Sequence, residues 1–315
     1  MANDKQVETF YDYVEVVADT LYREQKTPYL TSIKRALDIL LDEDYGDELG
    51  KEARRRLESA RNSVTDEPFA RENVRKAIQL SLLKAFKHER ITNAMVTPDS
   101  IGMFMAYLLK KLYDDKPATS ILDPLAGTGN LLATLHNHYR DDVVYYGIDS
   151  DALLCEVARN LLDAMEADHQ IFHQDTLTYQ GPIVDVIVTD FPVEDVSRRH
   201  AYFPYDVILH HIQHLQPGGF FMGLIENDFF DQPEQKKFRE RLLEQAHLFG
   251  LLKLDEGLFD NHPQSILLLQ KKLRKDEAHR EDFLIADLPP FRDEQRFQQA
   301  LHKIENWFAK KRGRF

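Results

Sequence analysis

The run Ile121-Leu-Asp123-Pro-Leu-Ala-Gly127-Thr-Gly129-Asn130-Leu-Leu132 decides how the rest of the chain is read. A short β-rich stretch, a tight glycine loop and the start of a helical pattern follow one another, a geometry that brings backbone close to a ligand. A dinucleotide fingerprint would place a third glycine where Leu132 stands, and a phosphate-binding loop would continue into Gly-Lys-Ser/Thr; the chain has neither. Asp123, four residues ahead of the first glycine, suits a cationic ligand instead. A Gly-x-Gly pair standing alone is weak evidence, because a plain turn can also carry it.

Working outward, short β-rich runs alternate with helical ones from about residue 118, at 120–122, 143–148, 170–173, 184–188, 220–225, 248–254 and 265–269. This alternation predicts a parallel α/β sheet covered by helices. Upstream, from about residue 5 to 90, apolar positions recur at helical spacing, as in Tyr11, Val14, Val17, Ala18 and Leu21, then Ile33, Ala36, Leu37 and Leu40. That half reads as a helical bundle with breaks at Thr27-Pro28 and the Asp44-Tyr-Gly-Asp47 turn, and Thr65-Asp-Glu-Pro68 could start a further helix. Arg90-Ile-Thr-Asn-Ala94 reads as the hinge, which divides the chain into a helical domain, 1–92, and an α/β domain, 93–315, whose first strand follows the Lys116-Pro117 loop.

With 315 residues, 43% hydrophobic and 30% charged, the chain can bury one large or two modest cores beneath a solvated surface. No stretch approaches the roughly 20 apolar residues of a membrane span, and the polar start MANDKQVETF lacks a signal-peptide core, so the expected address is cytoplasmic. The single cysteine, Cys155, lies in a helical pattern and is read as a core residue. A net charge of −13 disfavours a generic nucleic-acid coat protein, although a local basic face stays open. Lys51-Glu-Ala-Arg54-Arg55-Arg56 and Lys310-Lys311-Arg312-Gly-Arg314 could touch phosphates, but such runs are more often solvated faces. His210 and His214 share a helix face with no carboxylate or cysteine set to complete a site, so no metal is expected.

The glycine loop resembles motif I of class I S-adenosylmethionine-dependent methyltransferases. That resemblance implies S-adenosylmethionine as cofactor, with Gly127 and Gly129 admitting its methionine part and Asp123 near its ammonium and sulfonium charges. Two later strand ends fit the same ligand. Tyr146-Gly-Ile-Asp149 offers a carboxylate for both ribose hydroxyls, and His173-Gln-Asp175-Thr176 offers an acid for the adenine amino group. Each Asp alone also reads as a helix cap or turn residue. Acids at three successive strand ends, where open parallel sheets bind ligands, point to one crevice.

A fourth strand ends in Thr189-Asp190-Phe191-Pro192-Val193. With Val96-Thr97-Pro98-Asp99 and the motifs above, residues from about 70 to 270 resemble the N-6 adenine DNA methylases of the type I modification-subunit group, most closely the stand-alone bacterial YtxK-like branch. The resemblance implies a Rossmann-like sheet of seven strands, six parallel, with 265–269 inserted antiparallel after the Glu256-Gly257-Leu258-Phe259 connection. It also implies that Thr97 touches the cofactor carboxylate, while Thr97-Pro98 reads equally as a helix cap followed by a first-turn proline. In the family's Asp/Asn-Pro-Pro-aromatic motif, the acid or amide and the next carbonyl accept both hydrogens of the target amine, and the aromatic stacks on the flipped base. Asp190, Phe191 and Pro192 are therefore the candidate catalytic residues.

Val193 departs from the motif, since an aliphatic side chain forgoes a stack worth about 1–3 kcal/mol per base. Phe191, in place of the first proline, leaves the loop geometry open. Tyr202 and Phe203, in Ala201-Tyr-Phe-Pro-Tyr205, are candidates with Val193 for acceptor binding, as a lid or as packing beneath a loop. The expected function is a retuned adenine-N6 methyltransferase acting on nucleic acid, DNA before RNA, with the helical domain as the candidate surface for a homodimer. A methyltransferase for a protein amide and a cofactor-binding regulatory module without catalysis are the alternatives.

Overall fold

The computed structural model describes residues 3–46, 48–65, 69–89, 96–192, 202–258, 263–274 and 282–311. In chain order its elements are α1 (Asp4–Gln25), α2 (Tyr29–Asp42), α3 (Lys51–Thr65), α4 (Arg71–Glu89), α5 (Asp99–Leu112), β1 (Ser120–Asp123), α6 (Asn130–His138), β2 (Val144–Asp149), α7 (Ala152–Ala164) and β3 (His169–His173). There follow β4 (Val184–Asp190), α8 (Phe203–His211), β5 (Leu215–Glu226), α9 (Gln235–Gln245), β6 (Ala246–Lys253), β7 (Gln264–Lys271), β8 (Leu284–Asp287) and α10 (Glu294–Lys311). The chain folds as two compact units, one of residues 1–102 and 126–173, the other of residues 103–125 and 174–315.

In the first unit the helical spacing of the N-terminal sequence becomes a set of packed amphipathic helices. Val7, Phe10, Val14, Val17, Ala18 and Leu21 are buried on one face of α1, and Ile33, Ala36 and Leu37 on α2. Asn3 caps α1 by accepting the Lys5 N–H, and the helix ends in a left-handed Lys26, so the Thr27-Pro28 break falls between α1 and α2. A left-handed Gly46 lies in the expected turn after α2. The proposed start at 65–68 is only partly described, because 66–68 lie outside the described residues; α4 begins at Arg71. The hinge, 90–94, and the 92/93 boundary also lie outside them. In the same unit β2 and β3 pair parallel, Tyr145 opposite His169 through Asp149 opposite His173.

In the second unit β1, β4 and β5 run parallel, while β7 lies antiparallel to both β5 and β6. The interior residues of β4 and β7 are almost all buried, the continuous apolar signature of strands covered on both faces. The antiparallel insertion at 265–269 thus takes its expected place. The strand count differs: the described residues form eight strands, because β8 adds a parallel edge to β6. With only four residues and Ile285 exposed, β8 is specified by its ladder to β6 rather than by an apolar pattern of its own. Glu256–Leu258 form a single 3-10 turn before β7, and Phe259 lies outside the described residues.

Candidate active site

In the first unit lie the glycine loop and the tip of β2. Gly127 and Gly129 take φ of 52° and 75°, in the left-handed region. Gly129 caps α6, and a Cβ there would lie 3.1 Å from the Ala158 Cβ and 3.2 Å from its Cα, so both conformation and the packing of α7 require glycine. The loop is fastened to β2 twice: the Ala126 N–H donates to the Ile148 carbonyl at 2.9 Å and the Gly127 N–H to Asp149 Oδ2 at 3.0 Å. Asp149 Oδ1 accepts the Asp151 N–H at 2.8 Å. Burial pushes the Asp149 carboxyl above the usual carboxylate range, against the pull of these N–H donors.

Thr97 is buried, and its carbonyl accepts from Asn130 Nδ2 at 3.1 Å. The helix after it begins at Asp99, with the Pro98 carbonyl accepting the Gly102 N–H, so Thr97 precedes the cap by one residue. Thr97, Gly127, Gly129 and Asp149 are thus joined through one loop. Two residues of that loop carry no role in the sequence reading: Asn130 Oδ1 and Thr128 Oγ1 are buried and have no hydrogen-bond partner among the described residues. The signal for Asn130 was its place directly after the second glycine, where its side chain turns back to Thr97.

In the second unit lie the ends of β1 and β4 and the segment that begins at Gln174, directly after β3. Asp123 is buried at the end of β1, where Oδ1 accepts the Leu125 N–H at 3.0 Å and turns the chain into the loop. Asp175 Oδ1 accepts the Leu177 N–H at 2.9 Å and caps the 3-10 turn at Thr176–Thr178. The buried Thr176 hydroxyl lies 2.7 Å from His211 Nε2. Burial, then the neighbouring His210 and His214, push the His211 pKa down to about 3, so its imidazole is neutral. His210 Nε2 lies 3.0 Å from the Tyr179 carbonyl, and among the described residues no group of three His, Cys, Asp or Glu side chains is arranged to hold a metal.

Asp190 is the last residue of β4, half-buried and opposite Leu224 of β5. The Phe191 N–H donates to the Leu224 carbonyl at 3.2 Å, a bond proline could not make, and the buried ring stacks on Phe221 with centroids 6.4 Å apart. Phe191 therefore extends the β4–β5 pairing by one residue. Pro192 is half-buried, and Val193 lies outside the described residues. Tyr202 meets Tyr205 and Phe229 edge-on at 4.8 and 5.8 Å, and Tyr205 stacks on Phe238 at 4.0 Å. Phe203 begins α8 and is half-buried.

Comparison with known proteins agrees with this architecture. A family model described as N-6 DNA methylase matches residues 81–313, and one described as the YtxK N-terminal helical domain matches residues 8–86. The uncharacterized protein YtxK of Bacillus subtilis is 28% identical over 261 residues, 78% of this chain and 79% of that protein. The methylase subunit of the type I restriction enzyme EcoEI of Escherichia coli is 27% identical over 199 residues, 52% of this chain but 39% of the subunit. A crystal structure from Listeria monocytogenes, provisionally described as a class I S-adenosylmethionine-dependent methyltransferase, superposes with a TM-score of 0.84 at 29% identity, covering 97% of this chain and all of that one.

Proposed function

The chain belongs to the N-6 DNA methylase family, and we propose that it is an S-adenosylmethionine-dependent methyltransferase of adenine-N6 type, retuned at its acceptor site. Thr97, Asp123, Gly127, Gly129, Asp149, Asp175 and Thr176 bind the cofactor, and Asp190, Phe191 and Pro192 present the acceptor amine. The loop's chemistry supports the cofactor assignment, because Asn130 Oδ1 is a buried acceptor with no partner among the described residues, suited to an ammonium donor such as the cofactor's methionine part carries. Asp149 supplies acceptor capacity for ribose hydroxyls, and Asp175 for an exocyclic amine. When bound, the cofactor supplies an activated methyl group.

The chain's own task is to correct the acceptor. The lone pair of an adenine amine is delocalised into the ring, so two acceptors on its hydrogens are needed to turn the nitrogen towards tetrahedral geometry. Asp190 is the first and the Phe191 carbonyl the second. The observation that carries the reading is the Phe191 N–H bond to Leu224 with its buried ring, which holds the residue after Asp190 in register at the strand end. Val193 forgoes the aromatic stack, so acceptor binding is weaker than with an aromatic by about one to two powers of ten. The acceptor is nucleic acid, DNA before RNA, and the protein works in the cytoplasm, where the helical half is a surface for pairing two copies.

Purified protein incubated with labelled cofactor and separate DNA, RNA and cell-extract protein pools tests this. Label is expected in adenine, and Asp190→Ala should abolish it while leaving cofactor affinity nearly unchanged, because it removes a contact to the acceptor alone. Label in protein would replace the acceptor class by a protein amide. Cofactor binding with no label in any pool would make the chain a regulatory module.

A further inference from the structure

Arg75, on α4 of the N-terminal helices, is fully buried and lies far in sequence from every motif residue. All five of its N–H groups are engaged. Nε and Nη2 donate to the two Glu72 carboxylate oxygens at 2.9 and 2.8 Å, Nη1 and Nη2 to the two Asp99 oxygens at 2.8 and 3.0 Å, and Nη1 also to Thr134 Oγ1 at 3.2 Å. Asp99 opens α5, two residues after Thr97. Gln79 of α4 donates to Asp99 at 2.8 Å, and Asn137 of α6 to Glu72 at 2.7 Å. Burial works against both carboxylates, but pairing with Arg75 outweighs it and holds them below the usual carboxylate range.

The network reaches the glycine loop from two sides. The Thr134 hydroxyl donates to the Asn130 carbonyl at 2.8 Å, and Asn130 Nδ2 donates to the Thr97 carbonyl at 3.1 Å. Between them α5 and α6 cross so closely that a Cβ on Gly102 would lie 2.8 Å from the Thr134 Cγ2. One guanidinium therefore fixes the start of α5 through Asp99 and the first turns of α6 through Thr134, and Thr97 and Asn130 stand at the ends of these two paths. A surface arginine would leave its charge in water. Burying it with two carboxylates is costly unless every donor is used, so the site tolerates little relaxation.

We infer that Arg75 is a positioning residue for cofactor binding, and that the N-terminal helices are an integral wall of the cofactor site rather than an appended module. The inference rests on the reading of Thr97 and the glycine loop as a cofactor site. Arginine is required because lysine carries three donors on a single nitrogen and cannot bind two carboxylates bidentately while reaching a hydroxyl. Coupling is reciprocal: loosening Arg75 weakens the cofactor, and the cofactor stabilises a chain with intact Arg75 more than one without it.

Calorimetric titration of the full-length protein with S-adenosylmethionine tests this with three variants. Arg75→Lys keeps the charge, Thr134→Val removes the hydroxyl link at nearly constant volume, and Leu82→Ala perturbs a buried α4 position outside the network. Arg75→Lys and Thr134→Val should each weaken binding by about tenfold or more at a temperature where they are fully folded. Their cofactor-induced rise in Tm should shrink in step. Leu82→Ala should lower Tm without changing the dissociation constant, which separates positioning from general stability. If Arg75→Lys does not fold, Thr134→Val alone decides. Wild-type affinity in the folded network variants, or an equal loss of affinity in Leu82→Ala, would overturn the inference while leaving the cofactor reading intact. No binding by the wild-type protein would remove that reading and the inference with it.

Discussion

Replacing Asp149 by alanine tests the cofactor half of the proposal most directly, because its carboxylate does two jobs. One oxygen holds the Gly127 N–H at 3.0 Å and the other the Asp151 N–H at 2.8 Å, leaving lone pairs for both ribose hydroxyls. Leaving those hydroxyls unpaired costs about 1–3 kcal/mol, and losing the tie to the glycine loop adds about 0.5–1.5 kcal/mol. The sum, about 1.5–4.5 kcal/mol, weakens S-adenosylmethionine by roughly 10- to 2000-fold. Asp149→Asn should fall between, since its amide nitrogen must face one of two N–H donors. The ribose hydroxyls favour the ionised carboxylate, whereas burial has raised its pKa. Cofactor affinity should therefore fall as the pH drops through that raised pKa, and the slope should vanish in Asp149→Asn. Isothermal titration across pH reads both effects. An Asp149→Ala protein that is folded and binds within about threefold of wild type would remove Asp149 from the site, since the loss of about 1.5 kcal/mol or more weakens binding by about tenfold at least.

Gly129→Ala should cost about 1–3 kcal/mol in chemical denaturation, because φ of 75° strains any side chain and the new methyl meets Ala158 at 3.1 Å; unchanged stability would refute the account of α6 and α7 packing. His211 supplies a pH test whose sign is fixed by its depressed pKa. The unfolded chain takes a proton below the ordinary value of 6.5 while the folded imidazole stays neutral to about 3. Stability is therefore full above the first value and falls towards the second, by roughly 1.4 kcal/mol per pH unit. His211→Leu should flatten this acid slope, and parallel slopes for variant and wild type would show that His211 is not the buried group responsible.

How far the sequence could be read depended on whether a residue's role was local. The β1–loop–α6 unit was legible because its residues are consecutive, and the acids at 149 and 175 because strand ends are marked by texture. The edge strand at 284–287 was not, since four residues with an exposed Ile285 carry little pattern until β6 is beside them. Arg75 was invisible for the same reason: on α4 it reads as one more solvated charge, and its burial is decided by Asp99 and Thr134, 24 and 59 residues away. Phe191 makes the case most sharply. Beside the family motif it counts as a proline lost, and proline's contribution there is stiffness. In the folded chain the stiffness has another source, because the N–H that proline lacks joins the β4–β5 ladder at Leu224 and the ring that proline lacks is clamped against Phe221. The substitution that weakens the motif as a pattern thus fastens the backbone that follows Asp190. Under the proposed function, the departure expected to change acceptor affinity is therefore Val193, not Phe191.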